Sequence, residues 1–290
     1  MNHKPRLFDW LMLLLLALIW GSSFILMKKG LVAFRAEQVA ALRIVITALS
    51  LLPFAILRWN EVDFSKKKTI LIQGMFGNFI PAFLFTAAQV HIDSSQAGIL
   101  NSLSPVWVFV LGIFFFQSSY SPIKIVGMAV AFVGSVVLIL LQPSHGTTSN
   151  AVYGLLIVVA TFCYGLSANL LKANLKGVRP ITITSISFNI VLIPAAIFLY
   201  STGIIETFNA NPDALTSLLY VATLAVFSSA IASIIFNKLV HSTSALFAAS
   251  VTYLMPIVAL SWGFLAGETL SPVDFIGMAL IFFGVYLVGK

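Results

Sequence analysis

The chain has 290 residues, of which 60% are apolar and only 9% are Asp, Glu, Lys or Arg. Soluble domains carry roughly 25% charge, so a water-soluble fold of this composition would lack the polar surface to cover itself, and lipid must be the solvent for most of the chain. The formal charge of +7 is spread over short connections between apolar runs, which excludes a nucleic-acid partner, and the single cysteine, Cys163, excludes a disulfide framework or a cysteine metal cluster.

The N-terminus has a short basic lead, Lys4 and Arg6, followed by an apolar run from Phe8 to Met27. A run of about 20 residues spans a hydrocarbon core of ~30 Å at 1.5 Å per residue. It exceeds the apolar region of a signal peptide and no small-residue cleavage site follows, so a retained first helix is expected. Nine further apolar stretches follow, giving segments near 8–27, 38–57, 69–88, 95–116, 122–141, 152–171, 181–201, 215–236, 244–264 and 272–289. The connections around 58–68, 142–151 and 202–214 are too short for a soluble domain.

Lys and Arg positions orient these segments. With the N-terminus in the cytoplasm, the inside carries Lys4, Arg6, Arg58, Lys66, Lys67, Lys68, Lys124, Lys172, Lys176, Arg179, Lys238 and Lys290. The outside carries only Lys28, Lys29 and Arg35, and Arg43 lies within a segment. Both termini are therefore expected in the cytoplasm.

The fifth and tenth segments repeat at an offset of 150 residues. Ser121-Pro122 aligns with Ser271-Pro272, Gly127-Met128-Ala129 with Gly277-Met278-Ala279, Phe132 with Phe282 and Gly134 with Gly284. Weaker echoes run in the same order: Trp20-Gly21 with Tyr164-Gly165, Pro53 with Pro194, and Pro105 with Pro256. The expected organisation is a first five-helix repeat over 1–141, an extracytoplasmic linker at 142–150 and a second repeat over 151–290. Five spans per half invert the second half relative to the first, and rocking of inverted repeats exposes a central site to each side in turn.

Proline-interrupted helices in matching positions point to the binding site. Pro105 and Pro256 fall near mid-segment, where each removes a backbone bond and frees a carbonyl that lipid cannot satisfy. Polar or small side chains recur at helical spacing nearby: Asn101 and Ser104 on the fourth segment, Thr252 and Met255 on the ninth, Gly74 and Asn78 on the third, and Ser229, Ser233 and Asn237 on the eighth. Ser185 and Asn189 lie on the seventh. The same residue types also serve helix packing in membranes. Trp20, Trp107, Tyr164 and Tyr253 lie near mid-depth and offer an aromatic lining, whereas Trp10 and Trp59 read as interfacial anchors. Arg43 sits near the outer end of its helix, where snorkelling or pairing with Glu268 is expected. Asp93, Glu206, Glu268 and Asp274 also lie toward the outer face, so no carboxylate relay at mid-membrane is visible.

Taken together, Leu18-Ile19-Trp20-Gly21-Ser22-Ser23-Phe24, Ala41-Leu42-Arg43, Ser104-Pro105-Val106, Leu254-Met255-Pro256-Ile257, Gly267-Glu268 and the paired glycines resemble the ten-helix EamA-type branch of the drug/metabolite transporter superfamily, over essentially the whole chain. Gln117-Ser118 stands where many such proteins carry Gly-Glu, and Tyr164-Gly165 where they carry Trp-Gly. The resemblance implies an all-α integral membrane carrier in a bacterial inner membrane, without cofactor, monomeric or homodimeric. It would export amino acids or amphipathic and aromatic metabolites from a central cavity by alternating access. By position it places Trp20, Asn78, Asn101, Tyr164, Ser229 and Tyr253 near the substrate.

A membrane-embedded enzyme would need catalytic groups at mid-depth, and His3, His91, His145 and His241 all lie in tails, loops or helix ends. A lipid-head-group flippase or a channel is closer in kind; the first would show a lateral opening and the second would conduct without saturating.

Overall fold

A computed structural model of the chain describes residues 5–92, 94–140, 151–265 and 272–290. Among these residues the fold is all-helical. The predicted 142–150 linker, Asp93 and Glu268 lie outside them. Five helical stretches are long and apolar enough to cross a membrane: Leu7–Gly30, Ala36–Glu61, Phe64–Gln89, Val152–Asn174 and Ala214–Ser242. A sixth is a pair, Pro180–Ile190 and Leu192–Ser201, bent by 40°. Shorter apolar helices cover Ser104–Phe116, Pro122–Val137, Ala245–Val258 and Phe275–Gly289.

The distribution of polarity is the reverse of a soluble protein's. Leu7, Leu11, Leu14, Phe114, Phe115, Ile193 and Phe283 are exposed, while Gln38, Thr47, Thr86, Asn101, Ser104 and Ser185 are buried. An apolar exterior suits lipid, and the buried polar groups must find partners inside. Most do. The Gln38 amide donates to the Thr207 hydroxyl at 2.9 Å, and the Asn237 amide to the Thr184 hydroxyl at 2.9 Å. Lys172 turns its ammonium onto the Val240 and Thr243 carbonyls at 3.0 and 2.6 Å, capping the end of a neighbouring helix.

Helices from the two halves pack on one another. The first helix, α1 (Leu7–Gly30), lies against the eighth and ninth segments, and α2 (Ala36–Arg58) against the seventh. The repeated Ser-Pro segments, Pro122–Leu140 and Pro272–Gly289, pack antiparallel along their length. Their glycines explain the repeat at this place. A Cβ added to Gly127 would lie 2.7 Å from the Gly284 carbonyl oxygen, and one on Gly284 would lie 2.6 Å from that of Gly127. A Cβ on Gly134 would lie 3.0 Å from the Gly277 carbonyl. The duplicated motif is thus a packing seam in which each copy's glycines admit the other's backbone.

The Pro53/Pro194 echo divides. Pro53 sits inside the uninterrupted α2, whereas Pro194 follows directly on the bend at Val191. A proline in the first turn of a helix meets no helical donor requirement, so the bend falls just ahead of it.

Candidate functional site

Two pairs of helix irregularities, one member in each half, surround the centre of the fold. The third segment runs as Phe64–Gly74, a π-helical turn at Met75–Phe79, then Ile80–Gln89. The eighth runs as Ala214–Thr223, a π-helical stretch at Leu224–Ile231, then Ala232–Ser242. The fourth is broken between Ser94–Asn101 and Ser104–Phe116, and the ninth between Ala245–Ala249 and Val251–Leu265. Such interruptions free backbone groups that must face protein or a wet cavity.

The prolines sit just beyond the breaks rather than at them. Pro105 occupies the first turn of Ser104–Phe116 and cannot donate to the Asn101 carbonyl; the Ser104 hydroxyl donates to it instead, at 2.8 Å. Pro256 lies inside Val251–Leu265 and leaves the Thr252 carbonyl without its helical donor. Asn101 and Thr252 both line the cavity that these elements enclose.

That cavity has a volume of about 130 Å³. Trp20, Asn78, Asn101 and Tyr164 all line it. Trp20 and Tyr164 enter from α1 and from Ala151–Asn174, and a glycine follows each. A Cβ on Gly21 would lie 2.7 Å from Val258 Cβ, and one on Gly165 would lie 2.6 Å from Trp107 Cβ. Each glycine lets its helix approach a neighbour closely beside the cavity-lining aromatic. The Trp20 indole N–H donates to the Ser228 carbonyl at 2.8 Å, a group in the π-helical stretch, and its ring meets Phe236 at 5.4 Å. Tyr164 packs on Phe85 at 5.9 Å. The Asn101 amide oxygen accepts from the Ser104 hydroxyl at 3.3 Å, while among the described residues its NH2 group donates to the Met255 sulfur alone, at 3.4 Å, a weak acceptor that leaves donors open to a solute.

Ser229 and Tyr253 do not line the cavity. The spacing of Ser229, Ser233 and Asn237 assumes a regular helix, and Ser233 and Asn237 do face the cavity. The π-helical stretch inserts an extra residue per turn above them. Ser228 therefore takes the inward position, and Ser229 turns to accept a hydrogen bond from Arg43 Nε at 2.5 Å. Tyr253 is fully buried in the apolar core, and its hydroxyl has no hydrogen-bond partner among the described residues. Trp107 serves packing against Gly165 and Phe162. Asn189 donates to the Ala48 and Ser185 carbonyls at 3.1 and 2.9 Å and ties helices together.

Arg43 departs most from expectation. Instead of snorkelling outward it bonds Ser229 and lines the cavity. Gln73 and Ser167 also line it and were not singled out by the sequence; the Gln73 amide donates to the Ser167 hydroxyl at 3.1 Å, and that hydroxyl donates to the Gln73 carbonyl at 3.1 Å. Their spacing carries no periodic signal, but each is a polar residue in an apolar helix.

The profile of the EamA-like transporter family matches residues 8–140 and 152–290. An uncharacterized transporter of Archaeoglobus fulgidus is 25% identical over 281 residues, covering 96% of this chain and 98% of its own. A probable amino-acid metabolite efflux pump of Salmonella typhimurium is 26% identical over 292 residues, covering 96% and 94%. A solved crystal structure of a protein with 17% sequence identity superposes with a TM-score of 0.73, over 98% of this chain and 96% of that one, and shares its fold.

Proposed function

The chain belongs to the EamA-like transporter family, and from that premise we propose that it carries small organic metabolites, amino acids among them, out of the cell by alternating access around the central cavity. It crosses the bacterial inner membrane ten times with both termini in the cytoplasm, as two inverted five-helix halves, 1–141 and 151–290, joined outside by 142–150. Trp20, Asn78, Asn101 and Tyr164 contact the solute, Ser229 acts through Arg43, and Pro105 and Pro256 hold the interrupted helices in the shape the site requires.

The observation that carries this reading is the pairing of irregularities across the repeat. π-Helical turns in the third and eighth segments and breaks in the fourth and ninth converge on one cavity lined from both halves. In inverted-repeat carriers, discontinuous helices at corresponding positions form the substrate site. A cavity of about 130 Å³ lies below the 300–1,000 Å³ usual for drug-sized ligands, which favours solutes of amino-acid size. The name of the Salmonella typhimurium relative points the same way.

The test is flux. Purified protein in proteoliposomes loaded with single amino acids or small aromatic metabolites should give saturable efflux of some of them, reduced at least tenfold in apparent affinity by Asn101→Ala. Lipid scrambling without saturable solute efflux would replace the metabolite carrier with a lipid flippase.

A further inference from the structure

We propose that Arg43 anchors the carboxylate of the transported solute, so that the substrate is a small carboxylic acid or zwitterion and not a cation. The inference rests on the carrier reading above and adds the chemistry of what is carried.

Among the described lining residues of the central cavity Arg43 is the sole charged side chain. Its one protein hydrogen bond among the described residues runs from Nε to the Ser229 hydroxyl oxygen, at 2.5 Å. Both terminal nitrogens, with four N–H donors between them, are therefore left for another partner. Tyr164 lies near enough to feel the guanidinium charge, but a phenol is neutral at physiological pH and cannot balance it. A guanidinium held within a membrane domain without an anion is costly, and such groups mark substrate sites. Among the described residues nothing supplies that anion, and on this proposal the solute brings it.

The geometry suits a carboxylate. With Nε fixed by Ser229, the planar fork cannot swing freely, and two parallel N–H donors present themselves to a pair of oxygens. The remainder of the lining fits the rest of such a molecule. Asn101 offers amide donors held only by a sulfur, and Trp20, Phe85 and Phe236 offer apolar faces. No described lining residue carries a negative charge, so a cationic solute would face the Arg43 charge with no counter-charge among them. Arg43 lies in α2 of the first half and Ser229 in the π-helical stretch of the second. A carboxylate bound there engages a contact that joins the two halves, and substrate loading reaches the element expected to move.

The experiment compares acids with matched amides. Purified protein in phosphatidylcholine nanodiscs is titrated with L-phenylalanine, L-leucine and L-threonine, with the corresponding carboxamides, and with phenethylamine, and binding is read as thermal stabilisation. The expected result is that one or more of the acids bind about ten- to a hundredfold more tightly than their carboxamides, the ratio a charge-assisted hydrogen-bonded pair supplies. Phenethylamine gives no stabilisation. Arg43→Gln brings the acid down to the level of the amide. Arg43→Lys, which keeps the charge but loses the fork, retains part of the preference and covers the case in which Arg43→Gln does not fold. Carboxamides that bind as well as the acids, or failure of every acid to stabilise the protein, overturn the anchor. Flux in proteoliposomes separates the two claims. Acid-selective, Arg43-dependent binding without saturable flux keeps the anchor and removes the carrier; saturable flux of carboxamides as fast as acids does the reverse.

Discussion

Replacing Gly284 by alanine tests whether the repeated segments form the seam described above. The new Cβ would lie 2.6 Å from the Gly127 carbonyl oxygen. The Ala131 amide nitrogen would lie closer still, at 2.4 Å, so against ordinary contact at 3.4 Å the helices must part by about 1 Å, and both atoms in the way are backbone that cannot rotate aside. Overpacking of this kind costs about 1–3 kcal/mol, and the gap opened along the seam forfeits dispersion on both helices. Alanine returns about 1 kcal/mol through helix propensity, leaving a net loss of up to about 2 kcal/mol. Gly98 is the internal control. It lies within the helix Ser94–Asn101, and a Cβ there meets nothing within 4 Å, so Gly98→Ala gains the propensity term without a clash. The two variants should differ by about 1–3 kcal/mol, Gly98→Ala above the parent and Gly284→Ala below it, at roughly 2–4 °C for each kcal/mol. The assay is melting of detergent-purified protein followed by size-exclusion fluorescence. Gly284→Ala melting at or above the parent, with Gly98→Ala no higher than Gly284→Ala, would refute the close glycine seam.

Three further outcomes follow from single contacts. Trp20→Phe keeps the ring in the cavity but strips the donor from the Ser228 carbonyl; it should cost about 1–3 kcal/mol in melting and weaken solute affinity. Tyr253→Phe removes a buried hydroxyl that has no described partner, so it should leave transport intact and raise stability by up to about 1–3 kcal/mol. Gln117 holds a left-handed conformation, φ 51°, at the end of Ser104–Phe116; Gln117→Gly relieves the roughly 1–2 kcal/mol cost of that conformation, part of which returns as unfolded-chain entropy, so melting should rise by about 1–3 °C.

Much of this architecture is legible in the residues because its causes are local. Apolar length places helices, and every predicted segment falls on a helix or on a helix in two or more pieces. The Ser-Pro and Gly repeat is visible because both copies obey the same packing constraint, each glycine admitting the other's backbone. Trp20 and Tyr164 stand out in the sequence for a similar reason, since each precedes a glycine at a close helix contact. Ser229 is missed by one position because helical spacing presumes 3.6 residues per turn, and the π-helical stretch over Leu224–Ile231 adds one. Nothing in the composition of that stretch announces the insertion. Arg43 is misread because depth along a helix suggests snorkelling, whereas its partner Ser229 lies 186 positions away. Long-range pairing of this kind is decided by tertiary packing, and Gln73 with Ser167 is a second case.

Counterflow in proteoliposomes tests the central claim most directly: that a solute crosses through the cavity shared by the two halves. Vesicles preloaded with an unlabelled amino acid that stabilises the protein should concentrate the labelled form transiently. The uptake should saturate, and Asn101→Ala and Arg43→Gln should each reduce it at least tenfold at limiting solute while leaving the protein monodisperse in detergent. Uptake that rises linearly with concentration, or that is unchanged in both variants, would contradict the account.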